Sequence, residues 1–123
     1  MMSNPLAQLT WTFNSECEVP TDVSDLLIAG ESPIAAYKTI RDVAIFTNKR
    51  LILRDAQGLS GKKVEIYSLP YHSINMYSTE NAGGMFDLNS EVQLFTKAGT
   101  VKINLNKKVD IRKFDRLIAE AIL

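Results

Sequence analysis

The chain has 123 residues, a size that suits one domain able to bury roughly two-thirds of its unfolded surface. Fourteen Lys and Arg balance fourteen Asp and Glu, so no overall positive field marks a nucleic-acid binder. One cysteine, Cys17, excludes an internal disulfide, and one histidine, His72, excludes a two-Cys-two-His zinc site. No apolar run reaches the roughly eighteen residues of a membrane span, and the start lacks the basic-then-apolar stretch of a signal peptide. A soluble, cytoplasmic chain is expected.

Charge divides unevenly. Residues 1–31 carry five acids and no base, whereas the remainder carries fourteen bases against nine acids. This predicts an acidic leader over 1–30 and a moderately basic domain over 31–123. In the leader, Leu6, Leu9, Trp11 and Phe13 are too apolar for a solvated tail and fit a helical turn or a strand equally well. Thr21 to Gly30 reads as a short helix over about 21–29, capped by Thr21 and stopped by Gly30.

Strand follows strand from Ile34 onward. The first run is Ile34–Lys38; Val43–Thr47 and Leu51–Leu53 then flank Asn48-Lys49, where an Asn tolerant of positive φ suits a tight hairpin. Lys62–Leu69 alternates, with Val64 and Ile66 on one face and Glu65 and Tyr67 on the other, and Pro70 ends it. Ile74 and Met76 begin a strand that runs to Gly83-Gly84. Val92 and Leu94 mark the next, broken at Ala98-Gly99. Val101, Ile103 and Leu105 keep strict period two. The period then changes: Ile111, Phe114, Leu117, Ile118 and Ile122 form an amphipathic helix over about 110–122, capped by Asp110. The sum is about seven antiparallel strands and one C-terminal helix. Val43–Phe46 and Leu51–Leu53 are apolar on both faces, so both faces must be covered, by the leader, by the C-terminal helix or by another subunit.

This element order resembles the pleckstrin-homology (PH) domain, and the local sequence resembles its stand-alone bacterial family. The residues that carry the likeness are Ala-Tyr-Lys at 36–38, Arg41-Asp42 and Phe-Thr-Asn-Lys-Arg-Leu-Ile-Leu at 46–53. Further on come Gly-Lys-Lys-Val-Glu at 61–65, Pro70-Tyr71, Ala82-Gly83 and Phe-Asp-Leu at 86–88. The likeness runs from about Asp22 to Leu123 and leaves the first nineteen residues unexplained. It implies a mainly β barrel of two nearly orthogonal sheets with a C-terminal helix at one end, and no enzymatic activity or cofactor. It also implies a ring-like homo-oligomer, five subunits being one candidate number, and leaves the cellular role unassigned. A scaffold or interaction module for itself or an unidentified protein partner is the role expected.

Two surfaces are candidates. Lys38, Arg41, Lys62 and Lys63, with Arg54, gather at one hairpin end, where lipid-binding PH domains hold anionic headgroups through charge-assisted hydrogen bonds. The competing reading is a solvated end with Arg41 tied to a neighbouring acid such as Asp42 or Asp55. Phe46, Ile52, Tyr67 and Tyr77 are candidates for an oligomer interface, since they exceed the apolar surface that a small barrel needs. The competing reading is cover by the leader around Leu26-Leu27-Ile28. The basic stretch Lys102, Lys107, Lys108, Arg112, Lys113 and Arg116 lacks stacking aromatics and reads as a solvated face, with no nucleic acid as partner. Catalysis would fall to Cys17 with His72, or to Asp87 with Glu91; neither set forms a recognisable motif, and no metal is expected.

Overall fold

The structure, a computed structural model, describes residues 8–57, 63–80 and 89–123. Eight strands are present among them: β1 (Gln8–Cys17), β2 (Pro33–Thr39), β3 (Val43–Thr47), β4 (Arg50–Gln57), β5 (Lys63–Pro70), β6 (Ile74–Glu80), β7 (Ser90–Thr96) and β8 (Gly99–Leu105). One α-helix, α1 (Ile111–Ile122), follows them, and two short 3-10 helices cover Thr21–Leu26 and Tyr71–Ser73. The strands join in one sheet of order β5-β4-β3-β2-β1-β8-β7-β6. Among the described residues this sheet does not close, and β5 and β6 form its two edges. The expected strand end at Gly83-Gly84 lies outside the described residues.

The strand that sequence periodicity left open is β1. Leu9, Trp11 and Phe13 alternate with β-branched Thr10 and Thr12, a pattern that fits a pleated surface. β1 pairs antiparallel with β2 and parallel with β8, Trp11 lying opposite Ile103 and Phe13 opposite Leu105. The sheet therefore has eight strands among the described residues, not seven, and one of its pairings is parallel. β1 stitches the run β2–β5 to the run β6–β8, so ten residues of the acidic leader are part of the sheet. A bulge between Phe13 and Ser15 lets the strand change which residues face inward.

The helix expected over 21–29 is shorter and of a different kind. It is a six-residue 3-10 helix that ends at Leu26, with Pro20 rather than Thr21 at its N-cap and no side-chain cap. The Leu26 carbonyl accepts a hydrogen bond from Arg50 Nη2 at 2.6 Å, which diverts it from a helical partner. Gly30 serves the next turn instead: its φ is 79°, and Glu31 N donates to Ile28 O at 3.0 Å. At Asn48 the backbone φ stays negative; only glycines are positive among the described residues. Asn48 works through its side chain, accepting from Ser32 N at 2.7 Å and donating to Gly30 O at 3.0 Å. The expectation for α1 holds, with Asp110 as N-cap accepting from Arg112 N and Lys113 N.

Two apolar layers result. Inside the curve of the sheet, Phe13, Tyr37, Phe46 and Phe114 pack ring against ring, with Ile118 of α1 beside them. On the other face of β3 and β4, Ala36, Val43, Ile45 and Ile52 are covered by Val23, Leu26 and Leu27.

Candidate interaction surface

The two faces of the β3–β4 hairpin place the expected interface residues. Phe46 points inward and Ile52 outward, and both are 0% exposed within a single chain. α1 covers the first and the segment between β1 and β2 covers the second. Neither presents a side chain to another copy, which corrects their assignment to an oligomer interface. Tyr67 and Tyr77 are half-buried and pack against the inner core from the edge strands β5 and β6. Tyr67 OH donates to Glu65 Oε1 at 3.1 Å, and its ring lies 5.8 Å from that of Trp11.

The basic end is largely paired off. The β2–β3 turn closes through Thr39 N to Asp42 O at 3.1 Å and Asp42 N to Thr39 Oγ1 at 3.0 Å. Arg41 leaves this turn and meets Asp55 at 2.8 Å. Arg54 grips Asp42 through Nε at 2.9 Å and Nη2 at 3.1 Å, and reaches Asp22 at 2.9 Å. The hydrogen bonds it donates to Asp42 hold the Arg54 guanidinium more firmly protonated than usual. Lys38 and Lys63 are exposed, and Lys62 lies outside the described residues. An arriving anion at this end meets guanidinium groups already bonded to carboxylates.

Sequence reasoning missed the most deeply set charges. Glu31, only 7% exposed, accepts from Arg50 Nε at 2.9 Å and Thr47 Oγ1 at 2.7 Å through one oxygen. Its other oxygen accepts from Arg50 Nη2 and Ile28 N, each at 3.1 Å. The Arg50 bonds, against the cost of burial, hold the Glu31 carboxyl at about 2. Arg50 also donates to Ser68 Oγ at 2.9 Å, tying the leader, the β3–β4 hairpin and β5 together. The signal in the sequence was weak: an acid before one strand and an arginine at the start of another, with no local pattern linking them.

The catalytic candidates are dispersed. Cys17 packs in the outer layer, where burial pushes its thiol up and makes the thiolate scarcer. His72 is exposed in the second 3-10 helix, beside a groove bordered by Glu31 and Arg50. Asp87 lies outside the described residues, and Glu91 pairs with Lys102 at 3.0 Å, which lowers its carboxyl. Among the described residues no group of three or more His, Cys, Asp and Glu is placed to hold a metal. On the basic stretch, Lys113 bonds Glu16 at 2.9 Å. No helix among the described residues is long and apolar enough to cross a membrane.

Exposed large apolar side chains include Ile28, Ile34 and Ile40 around β2, and three more lie on the edge strands. Val64 and Ile66 on the outer face of β5 are 47% and 43% exposed, and Met76 on β6 is 59% exposed.

Comparison with known proteins agrees with this architecture. The family model described as bacterial PH domain matches residues 6–122. A DUF1696 family protein with a pleckstrin-homology domain from Shewanella loihica PV-4 superposes with a TM-score of 0.78 at 35% identity, over 89% of this chain and 99% of that one. A pleckstrin-homology domain from Shewanella amazonensis SB2B gives 0.68 at 36% identity, over 83% of each chain. The chain is also similar to two uncharacterized proteins of Bacillus subtilis (strain 168). YjqA is 47% identical over 81 residues, 66% of this chain but only 64% of that protein, and YozO is 34% identical over 95 residues, 77% of this chain and 82% of that protein. The chain belongs to the bacterial PH domain family. The match begins at residue 6, so β1, which the sequence likeness left out, falls within it.

Proposed function

We propose that the chain is a non-catalytic interaction module that assembles with further copies of itself through the two edges of its sheet. The observation that carries this reading is a sheet left open among the described residues, with exposed Val64 and Ile66 on one edge strand and Met76 on the other. Edge strands offer backbone donors and acceptors to a further strand, and aliphatic side chains beside them add apolar area. Pairing β5 of one copy with β6 of the next is a head-to-tail contact, which closes into a ring when the rotation per subunit allows it. A ring of five is one such closure. The assembled ring would then act as a scaffold, alone or for a protein partner. In this reading the module works in the cytoplasm, where its single thiol, Cys17, stays reduced.

Solution mass by light scattering across a dilution series tests the proposal. The expected result is a sharp mass of several subunits that persists on dilution, and its loss in Ile66→Glu, whose site is 43% exposed and leaves the core intact. A monomer at every concentration overturns it. Salt-sensitive binding to phosphatidylglycerol vesicles by that monomer, weakened by Lys38→Glu, would transfer the function to anionic headgroups.

A further inference from the structure

A cavity of about 300 Å³ opens beside the C-terminal end of β5, facing the turn between β7 and β8. Leu9, Trp11, Leu69, Pro70, Ala98 and Val101 form its apolar walls. The tilted Trp11–Tyr67 ring pair, with centroids 5.8 Å apart, lies along one side. Its polar groups are already engaged. Ser73 Oγ donates to Pro70 O at 2.7 Å, Thr96 Oγ1 donates to Gly99 O at 2.7 Å, and Ser68 Oγ accepts from Arg50 at 2.9 Å. A ligand in this space gains from burying apolar surface and finds few hydrogen-bonding groups to satisfy.

One charge borders the cavity. Lys97 stands on the exposed β7–β8 turn with no ion pair among the described residues, and no acid lines the space. Arg41, Arg50, Arg54, Lys102 and Lys113 are each matched to a carboxylate, whereas Lys97 is the charged residue at this apolar mouth and no acid lining the space holds it. The volume stands at the lower end of ligand pockets, roughly 300–1,000 Å³, which favours one short chain over a two-tailed lipid.

We propose that this cavity binds a single-chain apolar carboxylate of medium length, its tail against Trp11, Leu69 and Val101 and its carboxylate at Lys97. The site borders β5, the strand that the assembly proposed above also uses, but ligand binding does not depend on that assembly and is read at constant protein mass.

Trp11 is the chain's sole tryptophan and lines the cavity, so its emission reports occupancy directly. The experiment is a titration of the full-length protein with decanoate, kept below its aggregation limit, with decanol as the uncharged comparison and light scattering in parallel. The expected result is a saturable change in Trp11 emission at constant protein mass, with decanoate at least fivefold tighter than decanol. Lys97→Glu should weaken decanoate at least tenfold and leave decanol unchanged. Ala98→Phe, a change at an exposed turn position that closes the mouth, should abolish both signals. Absence of saturation overturns the site, and equal affinity for the two probes or an indifferent Lys97→Glu overturns the carboxylate. An emission change that follows subunit mass rather than probe concentration assigns the cavity to a second copy and overturns the ligand.

Discussion

The β3–β4 hairpin is covered on its inner face by α1 and on its outer face by the segment between β1 and β2, and the two covers differ in chemistry. The inner cover is aromatic: Phe13 stacks on Tyr37 at 5.6 Å, and Phe114 meets Phe46 edge-on at 5.6 Å. The outer cover is a 3-10 helix of six residues whose single buried side chain is Val23. So short a segment offers little apolar area, and ion pairs position it: Glu31 with Arg50, and Asp22 with Arg54, which is itself held by Asp42. Packing suffices where rings interlock. Where the cover is thin, directed charge–charge hydrogen bonds fix its place.

Disrupting the aromatic face should cost most. Phe46→Ala removes a ring that three others touch, and the loss should be about 4 kcal/mol, read from the urea midpoint. The charged face comes next. Arg50→Met leaves the fully buried Glu31 side chain without its cation, and stability should fall by about 3 kcal/mol. That variant also sharpens the contrast. Amide exchange at Val23 and Leu27, which bond only within the outer segment, should quicken more than at Phe114 N, which bonds Asp110 O.

Acid should tell the faces apart as well. The Glu31 carboxyl lies at about 2 in the folded chain against its ordinary 4.5. A folded-state value below the unfolded one contributes stability at neutral pH, and the contribution drains away as pH falls through 4.5 toward 2. By pH 3 the loss should reach about 2 kcal/mol. In Glu31→Gln the pH dependence of the midpoint between 6 and 3 should flatten by that amount. The smallest effect is expected at the surface: Lys113→Met breaks an exposed pair with Glu16 and should shift the midpoint by less than about 0.5 kcal/mol.

Elements with a strong local period were legible before any coordinates. Val101, Ile103 and Leu105 alternate, and their strand is β8; Ile111, Phe114, Leu117 and Ile118 step by three and four, and their helix is α1. β1 was not, because a few apolar residues fit either period and its parallel partner lies at the other end of the chain. The doubly apolar β3–β4 hairpin correctly demanded two covers, but periodicity does not say whether a cover comes from the same chain. Phe46 and Ile52 were assigned to an oligomer interface for that reason, although cover within the chain buries both. At the basic end the acids were visible in the sequence and Arg41 tied to one of them was the competing reading; strand pairing decides which, bringing Asp55 to Arg41 and Asp42 to Arg54. The Glu31–Arg50 bond joins positions nineteen residues apart with no pattern between them.

The parallel pairing of β1 with β8 also sets an order of events during synthesis. Strands β2 to β5 join neighbours through short links and can pair as they emerge. β1 is made before any of them, yet one of its two partner strands is β8, which is made after all of them. Until that strand arrives, Trp11 and Phe13 lack their opposite residues Ile103 and Leu105. A strand made before β2 to β5 is thus among the last to settle, a non-local closure that slows folding and leaves an aromatic segment open to chaperones meanwhile.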